Sequence, residues 1–116
     1  MTIRRADFDL VTAEEIANIA WSGPGPPAHP RFPRTRGVSV AAVDSGETVV
    51  VGDVLTDARY LEALGDTRSE MIVPVQGAGS AVVGTIDVES ERVDAFGAED
   101  RQLVERCAAA LAPLWS

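Results

Sequence analysis

The sequence predicts an α+β domain, a small antiparallel sheet with helices packed on it. Three stretches carry that reading. Between Arg68 and Ser90 two runs rich in valine and isoleucine flank a glycine-containing turn, the pattern of a β-hairpin. After Gly97, the residues Leu103, Val104, Cys107, Leu111 and Leu114 recur at helical spacing and describe one apolar stripe. Between Ser22 and Pro33 lie five of the seven prolines, which exclude helix and interior strand alike. A chain of 116 residues is one domain by size, with a modest core.

Taken in order, Thr12-Ala13-Glu14-Glu15 reads as a capping box that starts a short helix, with Ile16, Ile19 and Ala20 on its apolar side and Trp21 at its end. Residues 1–35 are therefore expected to be a helix and a proline-rich connector, and 36–116 the sheet-bearing domain. From Gly37 to Val43 the valines favour a strand. Ser45-Gly46 reads as a turn and Thr48–Val51 as a strand. Asp53 or Asp57 is placed to cap a short helix from Ala58 to Leu64 that carries Tyr60 and stops at Gly65. Gly97 precedes the last helix, whose Glu99 and Asp100 suit the positive end of the helix dipole, and Pro113 ends it.

Charge narrows the function classes. The net charge of −8 repels polyanions, which argues against nucleic acid and anionic membranes as partners and favours a cationic or zwitterionic ligand. All ten basic residues are arginine, so no lysine-based chemistry is available. No apolar run approaches the roughly 18 residues of a membrane helix. No signal-peptide pattern opens the chain and Cys107 has no partner for a disulfide, so the compartment expected is cytoplasmic. His29 stands alone in the proline-rich stretch, without a second ligand at metal-binding spacing.

The hairpin also places acids. On its second run Val82, Gly84, Ile86 and Val88 point one way, while Val83, Thr85, Asp87 and Glu89 point the other. With a four-residue turn, Gly77 to Ser80, Glu70 falls opposite Asp87 and three acids share a face. A five-residue turn would send Glu70 to the other face. Carboxylates gathered in this way raise one another's pKa and select for a positively charged group.

These residues carry a family resemblance. The order R-S-E, two apolar residues, V-P, a glycine-containing turn, V-G-x-I-D-V-E-S and D-A-F-x-x-E-D resembles the second half of a GAF domain. Within that superfamily it is most similar to the free methionine-R-sulfoxide reductases. The likeness covers Arg36 to Leu111. It implies a GAF-like antiparallel sheet with flanking helices, a helix after Gly37, and a ligand site in which Glu70, Asp87 and Glu89 hold an amino-acid substrate. The first sheet strands of that fold are not recognisable in residues 1–35, so the resemblance implies a domain truncated at its N-terminus.

The reductase reaction needs cysteine thiolates to attack the sulfoxide and to resolve the sulfenic acid. By the resemblance, Ser39 and Ala63 stand where the family has cysteines, and neither can do that step. Cys107, on the apolar stripe of the last helix, is expected to be an inert packing thiol. The expectation is a non-catalytic, cofactor-free small-molecule-binding domain for an amine or amino-acid-like ligand. Its site would be Glu70, Asp87 and Glu89, with Tyr60 and Asp53 near the rim and Ser39 beside them, in a homodimer formed through the terminal helices. Two alternatives are an interaction module with a filled pocket and a reductase-like enzyme working through Cys107.

Overall fold

The computed structural model describes residues 3–35, 37–59 and 66–115. Its six strands are β1 (Arg5–Val11), β2 (Glu15–Ser22), β3 (Arg31–Pro33), β4 (Val49–Val51), β5 (Ser69–Gln76) and β6 (Val82–Ser90). They form one antiparallel sheet in the order β3-β2-β1-β6-β5-β4. Helix α1 (Ser39–Ser45) packs on one face and helix α2 (Ala98–Leu111) on the other. No helix of the described residues is long and apolar enough to cross a membrane.

Residues 1–35 correct the sequence expectation. The two strands that were expected to be missing are β1 and β2, and no helix forms after Thr12. The capping-box side chain is spent on a hairpin turn instead: Thr12 Oγ1 accepts from the Glu15 N–H at 3.2 Å and donates to the Glu15 carbonyl at 3.1 Å. A β-bulge explains why Ile16, Ile19 and Ala20 looked helical. Phe8 pairs with Ala20 and Asp9 with Asn18, which leaves Ile19 unpaired and breaks the period of two. The prolines behave as expected, since β3, which ends in Pro33, is an edge strand of three residues.

The predicted hairpin is β5–β6, with a register other than the one expected. Gln76 pairs with Val82 across a five-residue turn, and Val83 is then passed over, so that Val75 pairs with Gly84 and Glu70 with Glu89 rather than Asp87. One extra turn residue and one bulged residue shift the register by two, so Glu70 stays on the acid face. Gly37 to Val43 resolves in favour of the helix, and Gly46 closes α1 in the left-handed conformation at φ 69°. Asp53 caps a 3₁₀ turn, Val54–Thr56. The helix expected over Ala58–Leu64 lies largely outside the described residues, as do Tyr60 and Ala63.

Two apolar layers sandwich the sheet. Met71, Val73, Val75 and Val88 meet Phe96, Val104 and Ala108 under α2, where Phe8 also stacks on Trp115 at 5.6 Å. On the opposite face Ile72 and Val51 meet Val38, Ala42 and Val54 around α1. The expected stripe on α2 is rotated: Val104 and Ala108 are buried, whereas Cys107, Leu103 and Leu114 are exposed. The packing role expected for Cys107 therefore falls to Ala108.

Gly84 marks the tightest approach in the sheet, because a Cβ there would lie 2.8 Å from the Asp9 carbonyl oxygen and 3.2 Å from the Phe8 ring. Backbone cannot yield as a flexible side chain can. Gly84→Ala is expected to destabilise the fold by roughly 1–3 kcal/mol, read as a lower urea midpoint at an unchanged slope.

Candidate ligand site

The candidate site is the sheet face under α1. Alternation puts Arg5, Asp7 and Asp9 of β1 on that face, leaving Ala6 and Phe8 to the α2 core. On β6 it puts Thr85, Asp87 and Glu89 there, and on β5 Glu70. Asp7 lies directly opposite Asp87, Glu70 opposite Glu89, and Arg5 opposite Glu89. Five carboxylates thus share one patch of sheet. Like charges directly across a ladder are unfavourable, and only the Arg5–Glu89 pair is opposite in sign.

Arg5 answers part of that charge. Its side chain is fully buried and grips Asp7 in a bidentate pair, Nε to Oδ2 and Nη2 to Oδ1, each at 2.7 Å. Nη1 donates to the Gly25 carbonyl, which ties the proline-rich segment to the sheet. Nε is also 3.8 Å from Glu89 Oε2, and the guanidinium lies 5.5 Å from the centre of the Trp21 ring. Asn18 Nδ2 donates to Asp9 at 3.0 Å and to Asp7 at 3.2 Å.

Above these acids is a cavity of about 470 Å³ of empty space counted out to its mouth, lined by Asp7, Asp9, Asn18, Glu70 and Asp87. Phe32 of β3, Pro27 and His29 of the proline-rich segment, and Gly37, Val38 and Ser39 at the start of α1 complete it. Of the residues expected from sequence, Glu70, Asp87 and Ser39 therefore line the cavity. Glu89 is fully buried beside Arg5 and does not line it. Asp53 lies away from the cavity, capping its 3₁₀ turn and pairing with Arg68 at 3.3 Å. Asp7, Asp9, Asn18 and Arg5 were not foreseen, although the alternation R-A-D-F-D-L-V was the signal that could have found β1 and its acids.

Burial dominates the protonation of this patch. It raises Asp9 to about 6 despite the Asn18 hydrogen bond. It raises Asp7 against the opposing pull of Arg5. Glu70 is pushed well above the ordinary range by burial and then by the charges of Asp87 and Glu89, and Asp87 by burial and then by Glu89. Among the described residues no group of three or more His, Cys, Asp or Glu is arranged to hold a metal ion. The patch suits a ligand with N–H donors and positive charge.

Comparison with known proteins agrees with this architecture. The sequence profile of the GAF domain matches residues 4–115. The chain belongs to the GAF domain family. It is 29% identical over 73 residues, 63% of its length, to a free methionine-R-sulfoxide reductase of Saccharomyces cerevisiae. The chain's matches span less than half the length of its curated relatives, 46% and 41%. Among solved structures, the type II free methionine-R-sulfoxide reductase of Thermoplasma acidophilum superposes with a TM-score of 0.91 at 26% identity, covering 97% of this chain and 79% of that one. The free methionine-R-sulfoxide reductase of Neisseria meningitidis, solved with its substrate, superposes with a TM-score of 0.86 at 30% identity, covering 95% and 65%. This GAF domain is thus similar to reductases along nearly its whole length.

The raised carboxyls give stability a pH dependence. An unfolded Asp or Glu titrates near pH ~4, so between that value and the folded value the native state holds more protons than the unfolded chain. This contribution is complete below about pH 4 and is lost as pH rises through the folded values, about 6 for Asp9. The urea midpoint is expected to fall between pH 5 and pH 8. Asp9→Asn, which keeps an acceptor for Asn18, should remove on the order of 1 kcal/mol of that fall; an unchanged pH profile would contradict the assignment.

Proposed function

We propose that this GAF domain is a non-catalytic binding domain for a small amine or amino-acid-like ligand, held over Asp9, Glu70 and Asp87. The observation that carries the reading is the convergence of these acids from β1, β5 and β6 on one open cavity. An interaction module with a filled pocket would have apolar side chains there. The similarity to reductases, one of them solved with its substrate, supports a small-molecule site in this fold.

Catalysis of the reductase kind finds no thiol at the cavity. Ser39 lines it, and its alcohol cannot be carried through a sulfenic acid. Cys107, the one cysteine of the chain, is exposed on α2, and α2 packs on the sheet face opposite the acids. Attack on a ligand in the cavity would have to cross the sheet. The exposed Leu103 and Leu114 beside Cys107 support a second reading, in which α2 presents this face to a second copy of the chain. In that arrangement dimer contact and ligand site occupy opposite faces.

The test is a thermal-shift and calorimetric screen with amines, amino acids and methionine sulfoxide, since a ligand of the folded state raises its melting temperature. A compound that binds the wild-type chain and loses tenfold or more in affinity with Glu70→Gln is the expected result. Binding untouched by both Glu70→Gln and Asp87→Asn would place the ligand elsewhere. Consumption of methionine sulfoxide with an added thiol, abolished in Cys107→Ala, would overturn the non-catalytic reading.

A further inference from the structure

We infer that residues 23–30 form a strap over the mouth of the cavity, that the buried guanidinium of Arg5 is its latch, and that opening of this strap admits molecules to the interior. The inference does not depend on which ligand the cavity takes.

Packing does not hold this segment. Of its eight residues only Gly25 and Pro27 are half-buried, the others are exposed, and none belongs to either apolar cluster. Four of the eight are prolines, which have no N–H to donate. Among the described residues two hydrogen bonds join the segment to the sheet. The Asn18 N–H donates to the Pro30 carbonyl at 2.8 Å, where β3 begins, and Arg5 Nη1 donates to the Gly25 carbonyl. At the other end Gly23, at φ 152°, lets the chain leave β2 close against β1, because a Cβ there would lie 3.2 Å from the Arg4 carbonyl oxygen. Between these ends Pro24, Pro26 and Pro27 keep the chain extended and stiff, so it moves as one piece.

The latch itself is rigid. Two hydrogen bonds to Asp7, each at 2.7 Å, fix the plane of the guanidinium, and Glu89 Oε2 lies 3.8 Å from Nε. Nη1 is thereby aimed at the Gly25 carbonyl from a side chain that is fully buried. A hydrogen bond from a charged donor shifts an equilibrium by roughly tenfold to a hundredfold. Losing it raises the open population of the strap by that factor, while the clusters under α1 and α2 stay packed. Pro27 and His29 line the cavity, so release of Gly25 withdraws that wall. A ligand then exchanges at the rate at which the strap opens.

Ser39 supplies a reporter that needs no ligand. It lines the cavity yet is only 5% exposed, and Cys107 is the one cysteine of the chain, so Ser39→Cys combined with Cys107→Ser places a single thiol at the inner wall. Its alkylation by N-methylmaleimide and by the bulkier N-phenylmaleimide is to be followed at increasing urea below the midpoint. The ratio of the two rates, each taken relative to a free thiol, cancels the reactivity of the thiol itself. With the strap latched, the bulky reagent is expected to react at least tenfold more slowly than the small one. Arg5→Lys keeps a charge beside Asp7 and gives up the fork that reaches Gly25, and should raise the bulky-to-small ratio at least tenfold. The double change Pro26→Gly and Pro27→Gly slackens the strap with Arg5 in place and should raise it at least threefold; it decides alone if Arg5→Lys does not melt cooperatively. An unchanged ratio in either folded variant would overturn the inference. Equal access for both reagents in the latched protein would also overturn it, since no opening would be needed. So would bulky-reagent rates that climb with urea as steeply as global unfolding, because the opening would then be loss of the fold.

Discussion

One buried guanidinium stands among five carboxylates, and the architecture of this GAF domain is arranged around that imbalance. Arg5 cannot neutralise Asp7, Asp9, Glu70, Asp87 and Glu89 together, and burial raises the pKa of Asp9, Glu70 and Asp87. A patch of this kind is tolerated only if something else holds the sheet together. Here that support comes from the opposite face, where Met71, Val73, Val75 and Val88 are covered by α2, and from the apolar cluster beneath α1. The acid patch itself then need not contribute apolar packing.

The walls of the cavity follow from the same residues. Arg5 donates to Gly25, which brings the proline-rich segment over the acids and sets Pro27 and His29 at the mouth. The prolines restrict this segment to extended conformations, so it lies across the sheet without forming an element of its own until β3. Ser39 and Val38 close the other side because the start of α1 rests on Ile72 and Val51.

How much of this was legible depends on whether local pattern and tertiary role agree. The β5–β6 hairpin and α2 were readable because their apolar spacing matches the element they form, whereas α1, whose valines favour a strand, was legible only through the family resemblance. β2 was not, because the bulge at Ile19 imitates helical spacing and Thr12 supplies a side chain that serves helix caps and hairpin turns equally. β1 hid its role differently. Its alternation is regular, but Arg5, Asp7 and Asp9 read as the solvent face and are in fact buried. The rotation of the α2 stripe had a similar cause, since alanines at 108, 109, 110 and 112 leave the sequence indifferent to which side is covered.

The five-residue turn and the bulged Val83 have a consequence for how this hairpin can change over evolutionary time. Each irregularity alone would invert every side chain of one strand relative to its partner; together they restore parity. Insertions and deletions at the tip of β5–β6 are therefore tolerable in even steps, or when the bulge is lost or gained in compensation. Chain length in this loop is free to drift only along a path that keeps the acids facing one another.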